Sequence, residues 1–208
     1  MIVTLLGATG RTGSLVAAEL AARGHDMTAL VRDPARLPDV PRLRHVVGDV
    51  RDATALGAAL AGSDAVVSAL GPVRKDPTLH RDAAGNLVQL MPEHGISRLV
   101  GISGAGIDIP GDRKSSSARA ISRLIRTFGG EVAKDKVAEH AILATSELTW
   151  TLVRPPRLTD GPATGVVDHD ARVSVRGTSI SRADLASFVV DVLERDLYPG
   201  SAPFVAGR

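Results

Sequence analysis

The sequence predicts an α/β protein in which helices cover both faces of a mostly parallel sheet. Short apolar runs alternate with helical stretches from the first residues onward, a pattern typical of strands joined by crossover helices. Aromatic residues make up only 2% of the 208 residues. The core must therefore be built from Val, Leu, Ile and Ala, the residues typical of a sheet that is buried on both faces.

The first part of the chain supplies most of this predicted sheet. Apolar runs predict the strands, and the amphipathic stretches between them predict the helices. The strands are expected at residues 2–6, 26–31, 43–47, 65–70 and 98–103. The helices are expected at residues 12–23, 53–61 and 80–94. Right-handed crossovers between successive strands then give a parallel sheet.

The rest of the chain is less regular. The predicted strands are a sixth at residues 149–154, a short one at 172–176 and a terminal edge strand at 203–206. The predicted helices are a basic one at 115–128, one at 131–145, and a last one that Ser181 caps with Asp184 three residues on. Loops are expected at 104–114 and 161–165. We expect one domain, residues 1–208, with substrate-site loops at about 104–130 and 155–180.

Composition argues against several classes of function. The chain has no cysteine, and its six histidines are dispersed, so we expect no disulfide and no metal site. The net charge is +2 and aromatic residues are few, which argues against a nucleic-acid partner. No run approaches the ~20 apolar residues of a membrane span, and no basic leader precedes Ile2. We expect a cytoplasmic protein, monomeric or homodimeric, that acts on a small molecule.

A glycine-rich loop follows the first predicted strand and opens the first helix. The segment runs Gly7-Ala8-Thr9-Gly10-Arg11-Thr12-Gly13. Gly7 permits a tight turn, Gly10 lets the backbone approach a pyrophosphate, and Gly13 lets the helix pack close to the sheet. The free N–H groups of the first helical turn favour phosphate. This context predicts a Rossmann-type doubly wound fold whose loop binds a dinucleotide, with Thr9, Arg11 and Thr12 among the contacts.

The end of the second strand indicates which dinucleotide is bound. An acidic residue there binds the ribose 2′-hydroxyl of NAD, whereas an arginine accommodates a 2′-phosphate. Arg32 occupies this position, and Arg11 in the loop is expected close by. Two guanidinium groups suit a phosphate dianion. The sequence therefore favours NADPH, with NAD as an alternative if both arginines are merely solvated.

The next two strand ends complete a predicted cofactor groove. Ligands of open α/β sheets bind at the carboxyl ends of the strands. Asp49 is placed to accept a hydrogen bond from the adenine amino group, with Val50 packed on the ring. Ala69, Leu70 and Gly71 offer small, backbone-rich contacts along the ribose.

The sequence resembles the short-chain dehydrogenase/reductase superfamily, and within it the atypical NAD(P)H-binding branch. That branch includes flavin reductase/biliverdin-IXβ reductase-like and NmrA-like proteins. The motifs that carry the resemblance are GATGRTG (7–13), VRDP (31–34), GDV (48–50), SALG (68–71), VGISGAG (100–106), TWTLVRPPRLTDGP (149–162) and ISRADLASFVV (180–190). The resemblance implies nicotinamide near Ser103 and the segment Arg154, Pro155, Pro156, Arg157.

The usual catalytic pair of that superfamily is missing. Its members use a tyrosine four residues before a lysine, yet the only tyrosine here is Tyr198, with no lysine at that step. Val132 stands four residues before Lys136. Ser103 is predicted to position the carboxamide or substrate, or else to satisfy its own turn. The resemblance places Lys136 at the nicotinamide ribose, whereas its helical spacing with Lys134 and Glu139 favours a solvated face.

Three functions are candidates for a chain with these residues. The first is an NADPH-dependent oxidoreductase that passes hydride to a conjugated acceptor, such as a flavin, a quinone or a bilin-like compound. Its substrate lid would span residues 106–126, whose basic side chains either favour an anionic substrate or form a solvated helix face: Arg113, Lys114, Arg119, Arg123 and Arg126. The second is a non-catalytic redox sensor of NmrA-like type. A nucleotide-sugar epimerase or dehydratase is disfavoured by the missing Tyr–Lys pair.

Overall fold

A six-stranded parallel sheet forms the centre of the structure. The computed structural model describes residues 1–73, 76–116, 118–120, 122–123 and 130–208. The sheet order is β3-β2-β1-β4-β5-β6, and every neighbouring pair is parallel. Its strands are β1 (Ile2–Leu6), β2 (Asp26–Val31), β3 (Leu43–Val47), β4 (Ala65–Ser68), β5 (Arg98–Ile102) and β6 (Thr149–Val153). The predicted Rossmann-type, doubly wound fold is thereby confirmed, since this is the strand order of that fold.

Five helices cover the two faces of this sheet. They are α1 (Arg11–Ala22), α2 (Ala53–Leu60), α3 (Leu79–Glu93), α4 (Gly130–Ala144) and α5 (Arg182–Glu194). On one face, α1 and α5 pack together over Val3 and Leu5 of β1. On the other face, α2, α3 and α4 enclose Leu6 and Val66. The crossover direction changes between β1 and β4, so the carboxyl ends of these two strands form the ligand-binding crevice of the sheet.

Four short strands lie outside the central sheet. They are β7 (Arg157–Thr159), β8 (Val167–Asp170), β9 (Ser179–Ser181) and β10 (Phe204–Gly207). β7 pairs with β9 in parallel, and β8 pairs with β10 in antiparallel. Phe204 also forms an isolated parallel β-bridge with Arg154, the residue after β6. The terminal strand β10 therefore lies beside the end of β6, as the predicted edge strand. Ser181 caps α5 by accepting a hydrogen bond from the Asp184 N–H at 2.9 Å, as predicted.

The predicted short strand at residues 172–176 is wrong. This segment contributes only an isolated bridge, between Val173 and Arg113, and the strand lies earlier, at β8. The sequence Val-Asp-His-Asp has no apolar run, so its local propensity does not predict a strand. It forms one because its backbone pairs with β10. His169 lies in this strand and is exposed.

The predicted basic helix at 115–128 is described in part. Residues 116, 118–120 and 122–123 are helical, residue 115 is not, and the other positions of the prediction, including Arg126, lie outside the described residues. In the described ranges, no helix combines the length and apolar character needed to cross a membrane.

Candidate functional site

The glycine loop is shaped by close backbone contacts at the crevice. Gly7 has φ +82°, a conformation that side chains disfavour, and a Cβ there would lie 2.6 Å from the Ala69 carbonyl oxygen of the neighbouring strand end. A Cβ on Gly13 would lie only 2.0 Å from the Gly7 carbonyl oxygen. Only glycine fits these two positions without moving backbone. The loop therefore has the tight geometry expected of a dinucleotide-binding turn.

The N-terminus of α1 faces the crevice with its donors free for a ligand. Gly10 is the N-cap, and the first intrahelical hydrogen bond runs from Ser14 N–H to its carbonyl at 2.9 Å. The N–H groups of Arg11, Thr12 and Gly13 precede that bond and have no intrahelical acceptor. The first turn contains no acidic side chain. The helix dipole and these donors suit a pyrophosphate, so the residues present fit a dinucleotide cofactor.

The two arginines expected to meet a 2′-phosphate differ in their surroundings. Arg32 follows β2 and is exposed. Arg11 is 74% exposed, and its Nη1 lies 3.4 Å from the Asp160 carboxylate. Asp160 also pairs with Arg182 at the start of α5. The structure thus gives Arg11 a partner in the loop after β7, while both guanidinium groups remain at the surface.

A cluster of ion pairs around Arg51 connects the loop after β3 to the loop after β4 and the start of α3. Arg51 donates to Asp76 from Nη1 at 2.8 Å and from Nη2 at 2.5 Å, and to Asp82 from Nε at 2.8 Å. These hydrogen bonds hold the pKa of Asp76 below its usual value. Asp49 accepts the backbone N–H of Arg51 at 3.0 Å, and Val50 is buried in the core. Asp49 is thus held in its own turn at the edge of the groove.

A buried histidine holds the end of β4. His80 presents Nε2 to the Leu70 carbonyl at 3.1 Å and Nδ1 to the Asp135 carboxylate at 2.8 Å. Asp135 also accepts the backbone N–H groups of His80 and Arg81, both at 2.9 Å, and so caps α3. His80 therefore connects α3, α4 and the end of β4 through buried hydrogen bonds.

The next residue of α4 holds the end of β5. Lys136 donates to the Ile102 carbonyl at 2.8 Å, and its Nζ lies 3.1 Å from the Glu139 carboxylate. Burial lowers the pKa of Lys136. The solvated face predicted for Lys136 and Glu139 is wrong, because both side chains are buried, and only Lys134 is exposed. Consecutive residues Asp135 and Lys136 therefore tie α4 to the ends of two neighbouring strands.

Ser103 lies just beyond β5 with an unpartnered hydroxyl. Its N–H donates to the Val153 carbonyl at 2.8 Å, and the Ala105 N–H donates to the Pro155 carbonyl at 2.9 Å, so β5 and β6 stay paired past their ends. The Ser103 Oγ is buried and has no hydrogen-bond partner among the described residues. A buried, unsatisfied hydroxyl at a strand end is the kind of group that a ligand satisfies.

Arg154 is engaged inside the protein. Its Nη groups form a bidentate pair with Asp112 at 2.7 and 2.8 Å, and its Nε donates to the Ala202 carbonyl at 2.7 Å. The guanidinium also lies 3.8 Å from the Phe204 ring centroid. With its side chain 1% exposed, Arg154 fixes the segment that carries Pro155, Pro156 and Arg157.

A cavity of about 730 Å³ opens beside these strand ends. Its volume is in the range of small-molecule sites. Small and apolar residues dominate the walls, with a few hydroxyls and two arginines: Gly104, Ala105, Gly106, Ser115, Ala118, Pro155, Pro156, Arg157, Ser174, Val175, Arg176, Gly177, Thr178, Phe204 and Val205. The cavity therefore joins the loops after β5 and β6, where the resemblance places nicotinamide.

Comparison with known proteins agrees with this geometry. The sequence model described as NAD(P)H-binding matches residues 7–196, from the glycine loop to the end of α5. This chain belongs to the NAD(P)H-binding family. The Bacillus subtilis protein YwnB is 29% identical over 202 residues, covering 93% of this chain and 92% of YwnB. Family membership confirms the resemblance in the sequence.

Solved structures share the architecture along the whole chain. A Burkholderia pseudomallei protein is 31% identical with a TM-score of 0.81, covering 99% of both chains. A Streptococcus pneumoniae protein, SP1627, whose name suggests an NADH-flavin reductase, is 24% identical with a TM-score of 0.81 and full coverage of both chains. A short-chain dehydrogenase/reductase of Veillonella parvula, in complex with NADP, is 19% identical with a TM-score of 0.82, covering 99% and 94%. The family fold thus spans this chain from end to end.

Three site residues escaped the sequence analysis. His80 and Asp135 lie 55 positions apart, and their contact depends on the packing of α3 against α4. Arg176 falls in the predicted substrate-site segment 155–180, but the sequence predicts a strand there rather than the cavity wall in which it is found. The one indication in the sequence is His80 itself. A histidine beside the apolar face of a helix is expected to be buried and therefore to need a polar partner.

Proposed function

We propose that this member of the NAD(P)H-binding family is an NADPH-dependent reductase that transfers hydride to a small conjugated acceptor, such as a flavin, a quinone or a bilin-like compound. The observation that carries the proposal is the cavity beside the ends of β5 and β6, which lies next to the expected nicotinamide position and is walled by Gly104, Ala105, Pro155 and Pro156. An apolar cavity there suits a planar acceptor stacked close to the cofactor.

The residues around the cavity favour an acceptor that needs no strong protein acid. No carboxylate, histidine or tyrosine is among its described lining residues. Tyr198 hydrogen-bonds His169 at 2.5 Å instead, and burial together with Asp170 raises its pKa. Bound NADPH would supply two electrons and one proton as hydride, and a conjugated acceptor takes the second proton from water. A Tyr–Lys pair is therefore not required.

Each group at the strand ends then has a positioning role. The glycine loop and the N-terminus of α1 hold the pyrophosphate, and Asp49, Val50, Ala69, Leu70 and Gly71 line the path of the adenosine and ribose. The free Ser103 hydroxyl orients the carboxamide or the acceptor. Lys136 fixes the Ile102 carbonyl, and the pairing of Arg154 with Asp112 sets Pro155 and Pro156 against the ring. Pre-oriented reactants are the main contribution that such a site makes.

The preference for NADPH is tested by removing Arg32. Charge-assisted hydrogen bonds are worth about 1.5–3 kcal/mol, so Arg32→Gln should raise the Kd for NADPH roughly 10- to 100-fold. The Kd for NADH should stay within about twofold. Arg44→Gln, at an exposed arginine of β3, is the charge-matched control and should change neither value. Equal losses for NADPH and NADH in Arg32→Gln would contradict the assignment.

Turnover decides between the reductase and the sensor. The purified protein is mixed with NADPH and riboflavin, FMN or a quinone, and NADPH oxidation is followed by absorbance. Steady oxidation that saturates with the acceptor supports the reductase. The absence of an acidic group from the described cavity walls also suits a non-catalytic redox sensor of NmrA-like type. Tight NADPH binding with no turnover on any acceptor would favour that second function.

A further inference from the structure

The charges that line the cavity are all of one sign. Arg157 and Arg176 are the only ionisable side chains among its described lining residues, and both are exposed. The remaining polar side chains of the walls are the hydroxyls of Ser115, Ser174 and Thr178. A concave, largely apolar surface with charges of a single sign concentrates ligands of the opposite sign.

Neither arginine has a side-chain partner among the residues that the structure describes. In the described ranges, no hydrogen bond or ion pair involves the side chain of Arg157 or Arg176. Arg154, three residues before Arg157, shows the contrast: its charge is neutralised by Asp112 in a bidentate pair. Guanidinium groups that stabilise a fold are usually paired with a carboxylate in this way. Two arginines at a cavity without such a carboxylate are therefore available to a ligand.

The carboxylates of the surrounding loops are all occupied elsewhere. Asp160 pairs with Arg11 and Arg182, and Asp184 accepts the N–H groups of Thr164 and Gly165. Among the other acids of these loops, each has its own partner: Asp108 with Lys114, Asp168 with Arg208, and Asp170 with the N–H groups of Arg172 and Val173. Among the described residues, none of these carboxylates pairs with Arg157 or Arg176.

The basic residues of the predicted lid that the structure describes are absent from the cavity walls: Arg113, Lys114, Arg119 and Arg123. Lys114 is buried, and its Nζ donates to the Ile107 carbonyl at 2.5 Å, to Asp108 at 2.8 Å and to Ser122 at 2.7 Å. The Lys114 charge stabilises the loop, and Lys114 is not among the described residues that line the cavity, whereas its neighbour Ser115 is. The positive charge at the cavity comes instead from the strand after Pro156 and from the segment before β9.

We propose that the acceptor bears an anionic group, a phosphate or a carboxylate, which Arg157 and Arg176 bind while its conjugated part lies on the apolar walls. This inference rests on the proposed reductase function and adds the chemical class of its substrate. Two unpaired guanidinium groups can engage such a group through bidentate hydrogen bonds. An uncharged acceptor of the same shape gains only the apolar contacts.

The test uses acceptor pairs that differ only in the charged group: riboflavin with FMN, and a naphthoquinone with its sulfonate. We expect kcat/KM to be at least tenfold higher for the charged member, and this ratio to fall with added salt because screening weakens charge contacts. Arg176→Gln should lower the ratio about threefold to tenfold, and Arg157→Gln/Arg176→Gln should bring it close to one. Taking the ratio cancels any effect of Arg157 on the binding of NADPH.

The control is Arg172→Gln, at an exposed arginine outside the cavity wall, which should leave the ratio unchanged.

Equilibrium binding separates failure of this inference from failure of the reductase. Flavin binding to the protein with NADP⁺ is followed by quenching of flavin fluorescence. Tighter binding of FMN than riboflavin that is lost in the double variant supports the anion site, even if neither flavin is reduced. Equal binding and turnover of the charged and uncharged members, binding of no member of either pair, or a preference that survives the double variant would overturn the inference.

Discussion

The cofactor groove and the substrate cavity are built by different means. Around the groove, β1 to β5 follow one another with short connections, and the position of the loop depends on backbone contacts at Gly7 and Gly13. Around the cavity, irregular segments are joined across long sequence separations by ion pairs such as Arg154 with Asp112. The glycine loop gets its shape from residues close together in sequence, whereas the cavity gets its shape from partners that only the fold brings together.

The largest expected effect is on the stability of the cavity region. Arg154→Met removes one member of a buried pair and leaves the Asp112 carboxylate, 10% exposed, without its bidentate partner, with the Ile109 N–H at 3.1 Å and the Lys114 Nζ at 3.8 Å remaining. Such losses cost about 3–5 kcal/mol, so urea denaturation should show a fall of that size in the free energy of unfolding. Arg157→Met, three residues away and exposed, is the matched control and should cost less than about 0.5 kcal/mol.

A double variant sharpens this first prediction. Arg154→Met/Asp112→Leu removes both charges, so it should be less destabilised than Arg154→Met alone. Equal stability of Arg154→Met and the wild type would mean that the cavity region does not depend on this pair, and the contrast between the two regions would fail.

The second prediction concerns the groove. Gly13→Ala places a Cβ against the Gly7 carbonyl oxygen, which belongs to the backbone and cannot turn aside, so the loop must shift. We expect the Kd for NADPH to rise about 100-fold, equivalent to roughly 2.7 kcal/mol, in calorimetric titrations. Gly85→Ala in α3, where a Cβ meets nothing within 4 Å, should bind NADPH like the wild type.

A milder variant tests whether the loss of affinity could come from unfolding of the protein. In Gly10→Ala the nearest contact is 3.3 Å, so the loss of affinity should be smaller than in Gly13→Ala while circular dichroism remains native. Unchanged affinity in a folded Gly13→Ala protein would show that the loop does not hold the pyrophosphate.

The difference between the regions also explains what the sequence could predict. The strands of the first part follow from periodicity, because the apolar runs of β1, β2, β4 and β5 are largely buried between the helices of the two faces. The glycine loop is recognisable because its function depends on residues with no side chain. Local patterns thus determine most of the fold and the outline of the groove.

Long-range partners set the limits of that prediction. β8 is a strand because β10 pairs with it, although its own residues are poor strand formers. Lys136 and Glu139 have the spacing of a solvated face, yet the packing of α4 buries them beside the Ile102 carbonyl. Polar residues become a buried network only when distant elements supply their partners, and the spacing within one helix does not contain that information.

The third prediction concerns the pH dependence of the cavity region. Asp184 is buried; although burial opposes ionisation, hydrogen bonds from Thr164, Gly165 and Ser181 hold its pKa below the ordinary value. Its contribution to stability is therefore complete above the unfolded pKa of about 3.9 and is lost as the pH falls through the lower folded value. Asp184→Asn should cost about 1–2 kcal/mol at pH 7, with the difference from wild type shrinking below about pH 4.

Urea denaturation at a series of pH values measures this difference. Asp39→Asn, at a carboxylate to which the structure gives no hydrogen bond, should follow the wild type at every pH. A stability difference between Asp184→Asn and wild type that grows as the pH falls would have the wrong sign for a carboxylate with a lowered pKa.

The smallest expected effect concerns the contact between the two regions. Arg11 belongs to the glycine loop and Asp160 to the segment after β7, and their exposed side chains approach to 3.4 Å. Such surface pairs are worth about 0–1 kcal/mol, so Arg11→Gln should lower stability by less than about 0.5 kcal/mol. The same variant should raise the Kd for NADPH about threefold, because one cation near the phosphates is lost.

Arg42→Gln provides a matched comparison. Arg42 makes an equally long, exposed pair with Asp26 at the start of β2, away from the crevice, so its loss should match Arg11→Gln in stability and leave NADPH binding unchanged. If Arg11→Gln instead costs more than about 1 kcal/mol while Arg42→Gln does not, the contact with Asp160 joins the groove to the cavity energetically. Binding of NADPH would then be coupled to the order of the substrate loops, and the two regions could no longer be treated as separately built.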